Sequence, residues 1–140
     1  MKRHDLWFLL LAATCLVVGV SMGVYMGATH DYILAPVHAH MNLLGWASLA
    51  LFGLAYRSYP ELGMSWTATL HVALCGPSAV FMPIGIALAV LYEAPGLAIC
   101  ASLLWLAGCI TFFVKIAAMV ASSAASINAS DTRIKFRRTR

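Results

Sequence analysis

Four long apolar stretches, at about 6–26, 34–56, 67–91 and 97–120, nearly exhaust this chain. A helix that crosses a bilayer needs roughly 20 mostly apolar residues. Each stretch meets that length, and no room is left beside them for a soluble domain. The chain is 62% hydrophobic and only 10% charged, with a mean hydropathy of +0.87. Soluble domains average about 45–50% apolar and roughly 25% charged. The expectation is an all-α integral membrane four-helix bundle. Residues 1–121 form the transmembrane domain, and 122–140 form a basic cytoplasmic tail.

The charges give the expected orientation. Lys2 and Arg3 precede the first stretch, Arg57 follows the second and Lys115 ends the fourth. Arg133, Lys135, Arg137, Arg138 and Arg140 fill the tail. All nine Lys and Arg fall on one side of a four-span arrangement, and the opposite loops carry only Asp31 and Glu93. The positive-inside rule then places both termini in the cytoplasm, N-in/C-in. The net charge of +4 reflects topology rather than a nucleic-acid partner. Anionic headgroups of the lipid bilayer are the expected contact of the tail. The first stretch has a basic start. Its apolar run is nevertheless longer than the roughly 7–15 residues of a signal peptide, and no clean A-x-A site follows. It reads as a span.

Several local features bear on packing and chemistry. Gly19, Gly23 and Gly27 recur every four residues, so they share one helix face. That ladder allows close approach of another helix or of a planar ligand. Pro36 suits the first position of the second helix. Pro77, after Gly76, and Pro83 interrupt the third stretch, where proline removes a backbone bond and bends the helix. Trp105 and Lys115 read as interface anchors of the fourth. Cys15, Cys75, Cys100 and Cys109 lie inside the stretches without a C-x-x-C pair. They are expected to act as small hydrophobes, with neither a disulfide framework nor a thiolate site.

The five histidines carry the candidate chemistry. His4 belongs to the basic N-terminal flank, and His30 to a loop beside Asp31. His38 and Asn42 are four apart and share a face. His40 is two residues from each and points about 160° away on a regular helix. His38 and His40 therefore cannot grip one metal ion from a regular helix. Ionisable groups inside a span are costly and mark functional sites by default, which singles out His40. A first-turn histidine such as His38 can instead satisfy an orphan backbone group. His71, near the start of the third stretch, lies on the order of 15 Å from His40 along the bilayer normal at the helical rise. The two cannot ligate one heme. A helix cap, a polar partner and a second cofactor all stay open for His71.

The run His40-Met41-Asn42-Leu43-Leu44 resembles the second helix of subunit I in the heme-copper oxidase superfamily. It is most similar to the nitric oxide reductase and cbb-type branches. The wider stretch HAHMNLLGW with LFGLAYR also resembles short bacterial proteins grouped with that superfamily. The resemblance covers one helix closely and the family's first four helices in order. It implies that His40 is an axial ligand of a heme b near the outer face of a bacterial inner (cytoplasmic) membrane. It also implies that Asn42 tunes the site, that Gly23 and its ladder lie against a heme edge, and that Met82, Met22, Met26, His30 or a second subunit supplies the other ligand. Copper at His38, with His40 as a further metal ligand, and a weaker role for His71 complete the expected set. The family's other heme ligands and its copper-binding histidines have no counterpart here. An oxygen- or nitric oxide-reducing centre on this chain alone is therefore not expected.

Two functions of different class follow. One is a small heme b protein that transfers electrons or handles heme, as a homo-oligomer or beside a respiratory-complex partner. The other is a cofactor-free membrane interaction or assembly subunit of such a complex. A metal or proton transporter using His38, His40 and His71 is a weaker third, because Asp31, Glu61 and Glu93 all sit in loops.

Overall fold

The computed structural model describes the backbone of residues 3–138 and the side chains of residues 3–126. The side chains of the basic tail, Arg133 to Arg140, lie outside the described residues, as does Lys2. Four helical rods follow one another. The first is α1 (His4–Thr29). The second is continuous but changes pitch: α2 (Ala35–His40), a π-helical segment (Met41–Ser48) and α3 (Leu49–Ser58). A short 3₁₀ turn at Pro60–Gly63 leads to α4 (Trp66–Tyr92), and α5 covers Gly96–Arg138. The rods alternate in direction, giving the bundle two ends. The near end holds the start of α1 and the connection between α3 and α4. The far end holds the turns at 30–34 and 93–95.

Local chemistry explains the boundaries. Asp5 in the first turn of α1 complements the helix dipole. His30 ends α1 in the left-handed conformation (φ 54°), and Glu93 does the same after α4 (φ 54°). Such left-handed residues close helices by redirecting the chain. Pro36 lies in the first turn of α2, and Pro95 follows the end of α4. Pro77 and Pro83 are accommodated inside α4.

Among the described residues, three helices are long and apolar enough to cross a membrane: His4–Thr29, Trp66–Tyr92 and Gly96–Ser126. The second rod differs from the regular helix expected over 34–56. Its π-helical turn divides it into segments that are each too short on their own. Ser48 Oγ donates to the carbonyl of Leu43, five residues back, at 2.9 Å, in keeping with the wider turn. The last rod also departs from expectation. It continues as helix to Arg138, because the Ala- and Ser-rich stretch after Val120 contains neither Gly nor Pro to stop it.

Glycines set the closest approaches. On α1, a Cβ at Gly19 would meet the Asn42 amide at 2.7 Å, and one at Gly23 would meet His38 Cε1 at 2.9 Å. From the second rod, Gly45 receives Cys15 and Gly53 receives Leu9. The two rods therefore interlock through glycines on both sides. On the other side, α4 and α5 form a hairpin in which Gly85 lies against the backbone of Ala98 and Gly108 against Cys75. Ser78 Oγ, fully buried, donates to the carbonyl of Ala101 at 2.6 Å. The core between these pairs contains Phe8, Leu49, Phe52, Cys75, Met82 and Trp105. Trp105 thus packs inward rather than serving as an interface anchor.

Candidate functional site

Two clusters of polar chemistry occupy opposite ends of the bundle. At the far end, the α2–π junction presents His38, His40 and Asn42. His38 Nδ1 lies 2.9 Å from the carbonyl oxygen of Gly19. A carbonyl can only accept, so Nδ1 carries the proton and donates. That fixes the tautomer and makes Nε2 the bare nitrogen. Asn42 Nδ2 donates to the carbonyl of His38 at 2.9 Å. Its 3.3 Å approach to His38 Nδ1 sets one donor beside another and adds no second bond. His38 and Asn42 fill the lower two rungs of the glycine ladder, at Gly23 and Gly19, so helix packing takes the surface there. At Gly27 the space is open, with nothing within 4 Å of where a Cβ would stand.

His40 has a different environment. Its imidazole is exposed, and its Nδ1 lies 2.8 Å from the carbonyl of Pro36, one turn back on its own helix. The same acceptor argument makes Nδ1 the donor and leaves Nε2 with a free lone pair. Nδ1 held by a backbone carbonyl and Nε2 left bare is the arrangement that orients a histidine as a metal ligand. His40 shares its exposed face with Leu43, 65% exposed, so the imidazole projects from an apolar surface. The π-helical turn begins at the next residue. Such turns occur frequently at functional sites.

The structure does not gather the other far-end candidates around His40. Met82 is buried in the core. Met26 is buried and Met22 partly buried on α1, where they line a smaller cleft with Tyr25 and Asp31. His30 is exposed in the turn. Among the described residues, no group of three or more His, Cys, Asp or Glu converges as an ion site.

At the near end, His71 is fully buried. It is neither a helix cap nor close to His40. Phe8 from α1, Phe52 and Tyr56 from α3, and Phe112 from α5 enclose its ring, with centroid separations of 4.9, 4.7, 5.8 and 5.4 Å. Its Nδ1 lies 3.2 Å from Tyr56 Oη, and its Nε2 is buried without a hydrogen-bond partner. A phenol that donates to Nδ1 leaves an N–H at Nε2, which an aromatic face can accept weakly.

Toward the surface, His4 Nε2 pairs with Thr69 Oγ1 at 3.1 Å. Lys115 Nζ donates to Ser65 Oγ and Thr67 Oγ1, both at 2.9 Å, and stands 5.9 Å from the Tyr56 ring centroid. Arg3 binds Asp5 in a two-pronged pair with both contacts at 3.1 Å. The carboxylate shifts the Arg3 pKa upward, chiefly through that hydrogen bond.

No sequence signal marks the Tyr56–His71 pair, whose members are 15 residues apart on different rods. Spacing does place His38 and Asn42 on one face and His40 on another. No family model, curated protein or solved structure matches the chain.

Proposed function

We propose that this chain is a multi-pass membrane protein, with both termini in the cytoplasm, that binds a heme b through His40 at an interface with a second protein chain. It transfers electrons or handles heme and has no oxygen-reducing centre of its own. The observation that carries this reading is the state of His40. The ring projects from the bundle, Nδ1 is committed to Pro36, and Nε2 is free.

Membrane insertion is supported by the outer surface. Val17, Val24, Leu51 and Phe113 are 66%, 68%, 65% and 71% exposed, and large apolar side chains cover every rod. In water such a surface costs about 25 cal/mol per Å² of apolar area. Lipid removes that cost. The orientation rests on the one-sided distribution of Lys and Arg.

The chain's own residues fit part of a heme site. His40 offers a ligand with its second nitrogen already satisfied. Asn42 holds the carbonyl of His38 and so steadies the turn that carries His40. His38 is a poorer ligand, because its ring edge rests on Gly23. Met82 is a poor second ligand, because reaching the His40 face would open the core. The second ligand therefore comes from outside this bundle, either from His40 of a second copy or from a respiratory partner. Heme, when bound, supplies one-electron redox chemistry. The protein's part is to fix the ligand and exclude water from one side.

The test is heme content per chain in detergent-purified protein, with His40→Ala and His38→Ala compared. His40→Ala is expected to lose the heme and His38→Ala to keep most of it. A folded His40→Ala protein with full heme occupancy would overturn the ligand assignment. A colourless wild-type protein from heme-replete cells would favour the interaction-subunit reading.

A further inference from the structure

A cavity of about 950 Å³ opens at the near end, between the start of α1, the end of α3 and the start of α4. Its rim and its wall differ in chemistry. Arg3 and Arg57 stand at the rim, with side chains 54% and 61% exposed, and both contact the Asp5 carboxylate. Asp5 receives two contacts from Arg3 and one from Arg57, whose Nη1 lies 3.4 Å from Oδ2. A guanidinium has five N–H donors, so most donors of Arg57 stay open toward the cavity mouth. Lys115 adds a third cation beside the rim, through its bond to the lining residue Ser65. Among the described residues, no carboxylate lies within ion-pair distance of Lys115. Glu61 belongs to the same connection but does not line the cavity. Among the described residues, three cations thus face two carboxylates at this end, and of those two Asp5 lines the cavity.

The wall is apolar and leads along the bundle. Trp66, Leu70 and Ala73 line the cavity from α4. Positions 66, 73, 80 and 84 follow one face of a helix. Val80 and Ile84 continue that face, 45% and 48% exposed. The cavity is therefore not a closed chamber. A charged mouth opens onto an apolar track of the bundle's outer side, about the length of an acyl chain. A small water-soluble anion would use the mouth alone, whereas a molecule with a phosphate and a hydrocarbon chain would use both parts.

We infer that this cavity binds one anionic phospholipid, its phosphate on Arg57 and Arg3 and an acyl chain along Trp66, Ala73 and Val80. Guanidinium forks match phosphate oxygens in two-pronged hydrogen bonds. Asp5 positions the two guanidinium groups without neutralising both. Trp66, 74% exposed, has the amphipathic ring that settles at headgroup depth. The site is separate from the far-end histidines and does not depend on heme.

The experiment is native mass spectrometry of the detergent-purified full chain, offered phosphatidylglycerol and phosphatidylcholine in equal amounts. Wild type is expected to retain phosphatidylglycerol with a preference of about tenfold, the scale of one or two basic contacts. A Glu93→Gln variant, altered only in the turn at the far end, should keep that preference. The Arg3→Gln/Arg57→Gln variant should lose it, and Arg57→Lys should fall between. Ala73→Trp leaves every charge in place but fills the track, and it should also lose the lipid. That variant decides the matter if the double charge variant does not fold. Three results would overturn the inference. These are equal retention of the two lipids, unchanged retention in both the charge and the Ala73→Trp variants, and release of the lipid by excess inorganic phosphate. The last would assign the site to a free anion.

Discussion

Tyr56 and His71 meet inside the bundle through a 3.2 Å hydrogen bond between the phenol oxygen and Nδ1, in a cage where the imidazole is fully buried. The bond satisfies one ring nitrogen and leaves the other unpartnered. Removing one member of a buried polar pair strands the other at a cost of about 1–3 kcal/mol. Tyr56→Phe should therefore lower stability by about that amount, because both nitrogens of His71 then lack a partner. His71→Phe removes both ring nitrogens, one of them already unpartnered, and fits an aromatic cage, but it strands the Tyr56 hydroxyl, so it should cost no more than Tyr56→Phe. Adding Tyr56→Phe to His71→Phe should cost much less than Tyr56→Phe alone. Thermal midpoints of the four proteins in one detergent check the sign of this coupling.

The glycines should divide sharply by what faces them. A methyl group at Gly85 would collide with the backbone of Ala98, which cannot move without opening the α4–α5 hairpin. Gly85→Ala should cost about 1–3 kcal/mol or more, as overpacking does. Nothing lies within 4 Å of a Cβ at Gly27. Gly27→Ala should stabilise α1 by roughly 0.5–1 kcal/mol through helix propensity alone. Gly23→Ala should fall between, because the edge of the His38 ring can shift. Thermal unfolding of the three variants gives the order directly.

The topology has its own test. Cysteines introduced as Asp31→Cys and Glu93→Cys should react with a membrane-impermeant maleimide added to intact cells wherever the outer envelope is permeabilised. Glu61→Cys should react only after the membrane is broken. The reverse pattern would invert the orientation that the Lys and Arg distribution gives.

Much of the architecture is legible in the chain because it follows from length and hydropathy. Runs of apolar residues locate the first three rods and the start of the fourth to within a few residues, whereas the fourth runs on as helix to Arg138; Pro36 marks the start of the second. The spacing of His38, His40 and Asn42 separates the buried face from the exposed one. What stays hidden depends on contacts between rods. Nothing in MNLLGWAS announces a π-helical turn, which lies where Gly45 meets Cys15 and the preceding turn meets Gly19 and Gly23. The ladder on α1 reads equally well as a helix seat or a ligand seat until His38 and Asn42 are seen to fill two rungs. His71 looks like a cap because its place near a helix start is local information. Its aromatic cage comes from α1, α3 and α5. Lys115 reads as an anchor, while its bonds to Ser65 and Thr67 tie α5 to the start of α4.

Ligation of a heme b by His40, with Nδ1 held by Pro36 and Nε2 free, is the step on which the proposed function stands. The dithionite-reduced minus oxidised absorption spectrum of the purified protein, with heme quantified per chain, decides it for wild type and His40→Ala. Wild type should show a sharp low-spin α band, at one heme per chain or one per pair of chains, and a folded His40→Ala protein should lose it. An unchanged spectrum in His40→Ala, or no band in wild type from heme-replete cells, would contradict that assignment.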